Sequence, residues 1–437
     1  MAVSILYWNA ASLSVRRAEL VHSLASMARK PDAICIQETW LSAARSFSIE
    51  GYSCERHDRS TGESRGGVAT FIRNGVSYSV VGRTDEPESI TISVMTVAGD
   101  LTIVNVYHPP GKPVDKDTFP HLFSFQRSIV IGDFNAQSTL FGASRTDQRG
   151  QLLEEAMETH SFVALNTGVG TRLKRDGSRS ILDLAMASRP LARKCDWSIA
   201  DDPMGSDHFP VTVTVGEGIL AEETHQPRWL FKRADWGAFK AGCQATVTAD
   251  LIGGEVETSH SEYVSALLTV AEECIPKSKP SRRPRDVPYW SDSCTEAVKA
   301  RSKAKTRMMR TKDHADASEY RRLKGVTQRT IRDAQRTHWK DYCTSLSDRS
   351  KLGQVWKTVR RMSGVKSKKS IPTMKSRDNQ LCRITRARRS SSHRASPTSA
   401  VTGISHQNSR PEGPSSKGST SMTSIRACAL SMMKAIL

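Results

Sequence analysis

Three features of the sequence predict an α/β sandwich of two packed sheets, then a basic helical extension and a tail without packed structure. Apolar β-rich runs broken by turn residues fill the first 216 residues. From Ser293 the chain becomes Ala-, Lys-, Arg- and Gln-rich, almost free of Gly and Pro. From Ser376 it turns to Ser, Arg and Thr with few acids. Hydrophobic content of 38% and aromatic content of 6% are low for a chain of 437 residues folded throughout, so part of it is expected to be extended.

The strands are read at Val3–Trp8, Ala33–Gln37, Val68–Ile72, Ile90–Val97, Leu101–Tyr107, Ser128–Ile131, Ile181–Ala187 and Pro210–Val215. Several are near-continuous Val, Ile and Leu, the pattern of strands covered on both faces. Helices are expected around Val15–Ala28 and Gly150–His160. Mixed strands and helices over this length make a two-sheet sandwich flanked by helices. Residues 217–290 read as an irregular connector and 291–365 as a basic helical segment. Residues 366–437 read as a disordered Ser/Arg-rich tail with the look of a frameshifted frame.

Charge divides the chain the same way. Residues 1–220 hold 22 Lys/Arg against 25 Asp/Glu, and the remainder 42 against 20, giving the net +19. Catalysis in the head and polyanion binding in the tail are the corresponding expectations. Nine cysteines with no C-x-x-C pair offer neither a disulfide framework nor a zinc finger, and fit a reducing compartment. No apolar run reaches membrane-spanning length, and MAVSILYWNA reads as a first strand and not as a signal peptide.

Chemistry-bearing residues sit at the predicted strand ends, where a rigid scaffold can aim them at one point. Asn9 follows the first strand and Glu38, in Gln37-Glu38-Thr39, the second. Gly132-Asp133-Phe134-Asn135 follows Ile129-Val130-Ile131, and alternation sends Asp133 and Asn135 to one side; a plain turn would use the same residues. Asp183 lies among aliphatics, where a carboxylate needs a partner, and Ser206-Asp207-His208 offers an imidazole. Oxygen ligands for a hard cation, a base for water and donors for phosphate are the parts that phosphodiester hydrolysis requires.

Together Asn9, Glu38, Tyr107, Asp133, Asn135, Asp183, Asp207 and His208 resemble the exonuclease–endonuclease–phosphatase superfamily, whose fold is deoxyribonuclease I-like. The motifs Q-E-T-W, V-Y-x-P-P, G-D-F-N and S-D-H carry the likeness. Within the superfamily the chain resembles the apurinic-type endonuclease of jockey-like non-LTR (LINE-type) retrotransposon polyproteins. Arg228-Trp229-Leu230-Phe231-Lys232 and Pro288-Tyr289-Trp290 look like the segments that lead towards the reverse transcriptase, whose aspartate pair is not in this sequence.

The resemblance implies an Mg²⁺- or Mn²⁺-dependent endonuclease nicking DNA to leave a 3′-hydroxyl. Glu38, Asn9 and Asp207 would serve the metal. Asp133 and Asn135 would orient or deprotonate water, and His208, steadied by Asp183, and Tyr107 would contact the phosphate. Which of Asp133 and His208 is the base stays open, and Ala11 stands where relatives often carry a polar group. DNA is the implied partner, with RNA a further one for the basic helices, and the nucleus, otherwise the cytoplasm, is the expected location, without secretion. A same-fold phosphatase or lipid phosphodiesterase, or a catalytically dead nucleic-acid-binding relic, are the alternative readings.

Overall fold

The computed structural model describes residues 2–42, 44–59, 65–216, 218, 229–247, 256–277 and 287–346, with isolated positions between 355 and 382. The tail expected from residue 366 therefore lies almost wholly outside the described residues. Two six-stranded sheets face each other, the sandwich that the sequence predicts.

The first sheet holds β1 (Val3–Asn9), β2 (Ala33–Gln37), β3 (Tyr52–His57), β4 (Val68–Arg73), β13 (Cys195–Ile199) and β14 (Val211–Val215), in the order β13-β14-β1-β2-β4-β3. The second holds β5 (Tyr78–Asp85), β6 (Glu88–Thr96), β7 (Gly99–Tyr107), β8 (Ser128–Asp133), β9 (Phe162–Ala164) and β12 (Asp183–Ser188), in the order β5-β6-β7-β8-β12-β9. Between the sheets an aliphatic core joins Ile5, Ile92, Ile103, Ile129, Ile131 and Val213, all fully buried. Their runs are apolar without alternation because helices cover the outer faces. α1 (Leu13–Ser26) covers the first sheet, α2 (Gln148–Thr159), capped by Asp147, covers the second, and the short α3 (Arg189–Ala192) follows its last strand.

Topology gathers the motifs at one end. The central pairs β1–β2 and β7–β8 are parallel, with Asn9 level with Gln37 and Tyr107 level with Asp133. Their C-terminal ends therefore fall together. β12 runs antiparallel to β8 and starts with Asp183 opposite Asp133. β3, β5, β9 and β13 are additional edge strands; β3, β5 and β13 have polar-rich, partly exposed sequences, and β9 is only three residues long. The small hairpin of β10 (Arg172–Leu173) and β11 (Arg179–Ser180) was also unforeseen.

One expectation needs correction. The stretch read as an irregular connector contains α4 (Trp236–Thr246), capped by Asp235, and α5 (Val256–Cys274), which together form a small unit of their own. The basic helical segment holds two helices. α6 (Asp292–Thr311) ends at Lys312, in the left-handed conformation, and Asp313 caps α7 (His314–Ser345). Thr327 donates to the Ala297 carbonyl, and Cys294 and Ile331 share a cluster, so the two helices run antiparallel as a hairpin. This hairpin belongs to the same compact unit as the sandwich. Cys35 and Cys294 are buried thiols outside any disulfide.

Candidate active site

At the shared strand ends one polar network crosses from sheet to sheet. The Asn9 amide nitrogen donates to Glu38 Oε1 at 2.9 Å and to Asp133 Oδ2 at 2.8 Å. Tyr107 donates its hydroxyl to the same Glu38 oxygen at 3.1 Å. His208 Nδ1 lies 2.8 Å from Asp183 Oδ2, and its Nε2 faces Asp133 Oδ2 at 3.9 Å. Asn9, Asp133, Asp183 and His208 are all buried. Six of the eight residues singled out from sequence thus meet in one chain of contacts.

The remaining two sit beside it. Asn135 N–H donates to Asp133 Oδ1 at 3.0 Å, while its side-chain amide donates to the His108 carbonyl. Asp133-Phe134-Asn135 therefore forms a turn beside the network. Asp207 accepts from Arg172 Nε at 3.0 Å instead of joining the network. Arg172 had no signal in the sequence, since it comes from a two-residue strand. Trp40 Nε1 reaches Glu38 Oε2 at 3.2 Å, and Arg149 donates to the Phe134 and Asn135 carbonyls.

Local backbone explains how these groups are aimed. Glu38, Ala11 and Asn135 adopt positive φ (48°, 44° and 47°), a costly conformation that persists where surroundings over-determine it. Ala11 N–H donates to Asn9 Oδ1, which turns the amide nitrogen towards the two carboxylates. Gly132 is required: a Cβ there would lie 1.8 Å from the Val106 carbonyl oxygen of β7. Ser206 donates to the Asn9 carbonyl and accepts from His208 N–H, and Trp8 Nε1 donates to the His208 carbonyl. Every part of S-D-H therefore has a partner.

Burying several acids together produces opposed charge states. Burial drives the Asp133 carboxyl up to about 7, against the pull of His208. Burial alone would lower the His208 imidazole, but Asp183 and then Asp133 hold it up at about 9. Burial, with Glu38 beside it, pushes the Tyr107 phenol far up, so it stays a donor. The Asp207 carboxyl, despite burial, is held low by His208 and Arg172.

The donor set fits a divalent cation. Ligand atoms of Asp133, Asp183 and His208 lie within 4.8 Å of one another. Glu38 and Asp133 are brought onto one amide, and carboxylate oxygens placed so close together suit a hard ion. Beside the network lies a cleft of about 480 Å³, lined by Lys112, Asn135, Arg149, Arg172 and Leu182 among others. Its cations suit an anionic substrate.

Residues 101–212 match the family model described as endonuclease-reverse transcriptase. The chain is 25% identical over 338 residues to a probable RNA-directed DNA polymerase from transposon X-element of Drosophila melanogaster, covering 74% of this chain and 36% of that protein. It is 22% identical over 382 residues to the RNA-directed DNA polymerase from mobile element jockey of the same organism, covering 84% and 40%. The chain thus spans two fifths or less of the length of these relatives. The solved endonuclease domain of TRAS1, a telomere-specific non-LTR retrotransposon, aligns with 49% of this chain and 98% of that one, at 22% identity and a TM-score of 0.41. The likeness carried by the motifs stands, as similarity to the proteins of jockey-type mobile elements with an endonuclease-type domain.

Proposed function

We propose that this chain is a divalent-metal-dependent endonuclease that nicks DNA and leaves a 3′-hydroxyl. The observation that carries the reading is the network from Tyr107 and Glu38 through Asn9 to Asp133, closed by His208 and its partner Asp183. Glu38, tied to Asn9, would hold Mg²⁺ or Mn²⁺. Such an ion, when bound, polarises the phosphate and stabilises the charge that develops on it.

The protein's own groups divide the remaining work. Asp133, raised to about 7, accepts a proton from water near neutral pH. The oxygen so activated bonds to phosphorus as the P–O3′ bond breaks, and the departing O3′ takes a proton from solvent. His208, protonated because Asp183 sustains its charge, stabilises the phosphate oxygens, and Tyr107 donates to one of them. Asp133 is thus our choice of base and His208 the electrostatic partner. Asn135 fixes the Asp133 carboxylate through its N–H. Asp207 acts through Arg172, which lines the cleft where DNA would lie.

DNA is favoured as substrate by that cationic cleft and by the names of the relatives, since a DNA polymerase extends a 3′-hydroxyl. The nucleus is the corresponding place of action. Outward cations of α6–α7 such as Lys303 and Arg310 add backbone contacts for nucleic acid, RNA included. No helix among the described residues is long and apolar enough to cross a membrane.

The test is supercoiled-plasmid nicking by the full chain with Mg²⁺, with EDTA, and with His208→Ala and Asp133→Asn. We expect open circles whose 3′ ends a polymerase can extend, abolished by EDTA and slowed at least about a hundredfold in each variant. Intact plasmid in the presence of folded protein and metal would sink the reading.

A further inference from the structure

We propose that the α6–α7 hairpin is a working part of the catalytic unit, a clamp that positions His208 and Arg172. The inference rests on the assignment of His208 to catalysis and adds a function for residues 292–345. Three sets of contacts carry it, and all fall on the segments that hold the edge of the site.

The first is apolar. Phe209, next to His208, is fully buried in a cluster with Leu173 of the sandwich and Ala304, Met308, Ala317 and Tyr320 of the hairpin. Residues 171–173 and 207–209 are paired strand-like: Leu173 N–H donates to the Asp207 carbonyl, Phe209 N–H to the Thr171 carbonyl, and Arg172 bridges His208. The hairpin therefore packs on the back of the ribbon whose front presents Arg172 and His208.

The second is ionic. Arg301, 1% exposed, pairs with Glu19 of α1 at 2.7 Å and with Asp202 at 3.1 Å. Asp202 also accepts from Met204 N–H, at the start of the turn that leads to Ser206. Lys305 donates to the Asp201 carbonyl. A buried guanidinium shared between α1 and this turn fixes the turn's position, because moving either acid leaves the cation unpaired.

The third is a close approach. Gly177, in the β10–β11 turn, faces the Met308 carbonyl so closely that a Cβ would stand 2.7 Å from its oxygen. Helix α6 thus touches both segments of the ribbon. Elsewhere Trp290 stacks on His22 of α1 with centroids 3.8 Å apart, and Cys294 and Ile331 pack with Ala18. Without the hairpin, Phe209, Leu173 and Glu19 lose these partners.

The rival account is a nucleic-acid-binding arm whose docking does nothing for the site. The two differ in what undocking changes. Misplacing a catalytic group by about 1 Å costs on the order of a hundredfold in turnover, while loss of an arm weakens substrate binding. The experiment uses the full chain with Met308→Glu to undock, Met308→Leu as the conservative control, and Lys303→Glu with Arg310→Glu on the outer face. Hydrogen exchange is read by mass spectrometry in 171–180 and 201–209, with 128–133 as reference, and nicking is resolved into kcat and KM.

For Met308→Glu we expect exchange in the two segments to rise at least about tenfold with the reference unchanged, and kcat to fall at least about tenfold with KM little altered. Met308→Leu should behave as wild type, and the outer-face pair should change KM alone. Unchanged exchange in 201–209, or a Met308→Glu effect confined to KM, overturns the clamp. If Met308→Glu also loosens 128–133, Met308→Ala makes the same comparison with a smaller perturbation. If wild type does not nick at all, the nuclease reading falls, and the exchange measurement still decides whether the hairpin fixes the ribbon.

Discussion

The sandwich and the helical hairpin dispose of charge in opposite ways. The sandwich turns acids inward at one end, where Asp133, Asp183 and Glu38 meet around Asn9 and His208, and stabilises itself elsewhere with a dry aliphatic core. The hairpin carries 14 Lys/Arg against 7 Asp/Glu between 292 and 345 and keeps most of them outside. Two of its ten buried residues are the cations Arg301 and Lys305. Much of its apolar packing is borrowed from Phe209, Leu173 and Ala18 of the sandwich. Close packing specifies the first region, and docking the second.

One substitution made in both regions sharpens this contrast most. Gly132→Ala places a methyl into the Val106 carbonyl, at φ 149°, between two parallel strands next to Asp133. We expect a loss above about 4 kcal/mol, read as failure to give folded protein or as a collapsed Tm. Gly325→Ala in α7 meets nothing within 4 Å. Helix propensity favours Ala over Gly by about 0.5–1 kcal/mol, so the second variant should melt higher than wild type. Equal losses at both positions would break the distinction between a packed region and a docked one.

The dock itself gives the next largest effect. Glu19→Leu leaves Arg301 buried with only the half-exposed Asp202, and removing one member of a buried pair costs on the order of 3 kcal/mol. Arg301→Met added to Glu19→Leu removes the stranded charge, so the double variant should recover much of the loss. Urea denaturation of the two singles and the double closes the cycle, and purely additive losses would show that the pair does not act as a unit.

The same contrast explains what could be read from the sequence. β1, β2, β7 and β8 were legible because strands buried on both faces are long aliphatic runs, and the groups that end them were legible as polar residues at those boundaries. β3 and β5 were not, since edge strands satisfy water as well as neighbours and leave no such run. Asp183 was found because a carboxylate among aliphatics demands a partner, and His208 is that partner. Arg172 was missed because its role comes from a bridge between loops. Arg301 was missed because a basic helix reads as solvated, and only the fold brings Glu19 and Asp202 to it. The break between α6 and α7 did leave a sign: Asp313, whose side chain caps α7, followed by Asp316 in the first turn.

The smallest effect we predict tests whether the dock is tuned like the site, by burying a charge at some cost. Lys324 of α7 is pulled below its ordinary value of 10.5, to about 8, first by burial and then by Arg16. Arg301 adds to the lowering, and Asp207 and Glu19 oppose it. Below about 8 the lysine is charged in both folded and unfolded chains, and the cost of burying the charge is present in full. Between about 8 and 10.5 the unfolded chain holds more protons than the folded one, so stability rises with pH through this group. Above 10.5 the lysine is neutral in both states and the cost is gone. Lys324→Met should therefore melt above wild type at pH 7, with the gap narrowing as pH is raised towards 10. A gap that stays constant over that range would mean that Lys324 keeps its charge solvated, and that the hairpin lies against the sandwich without burying it.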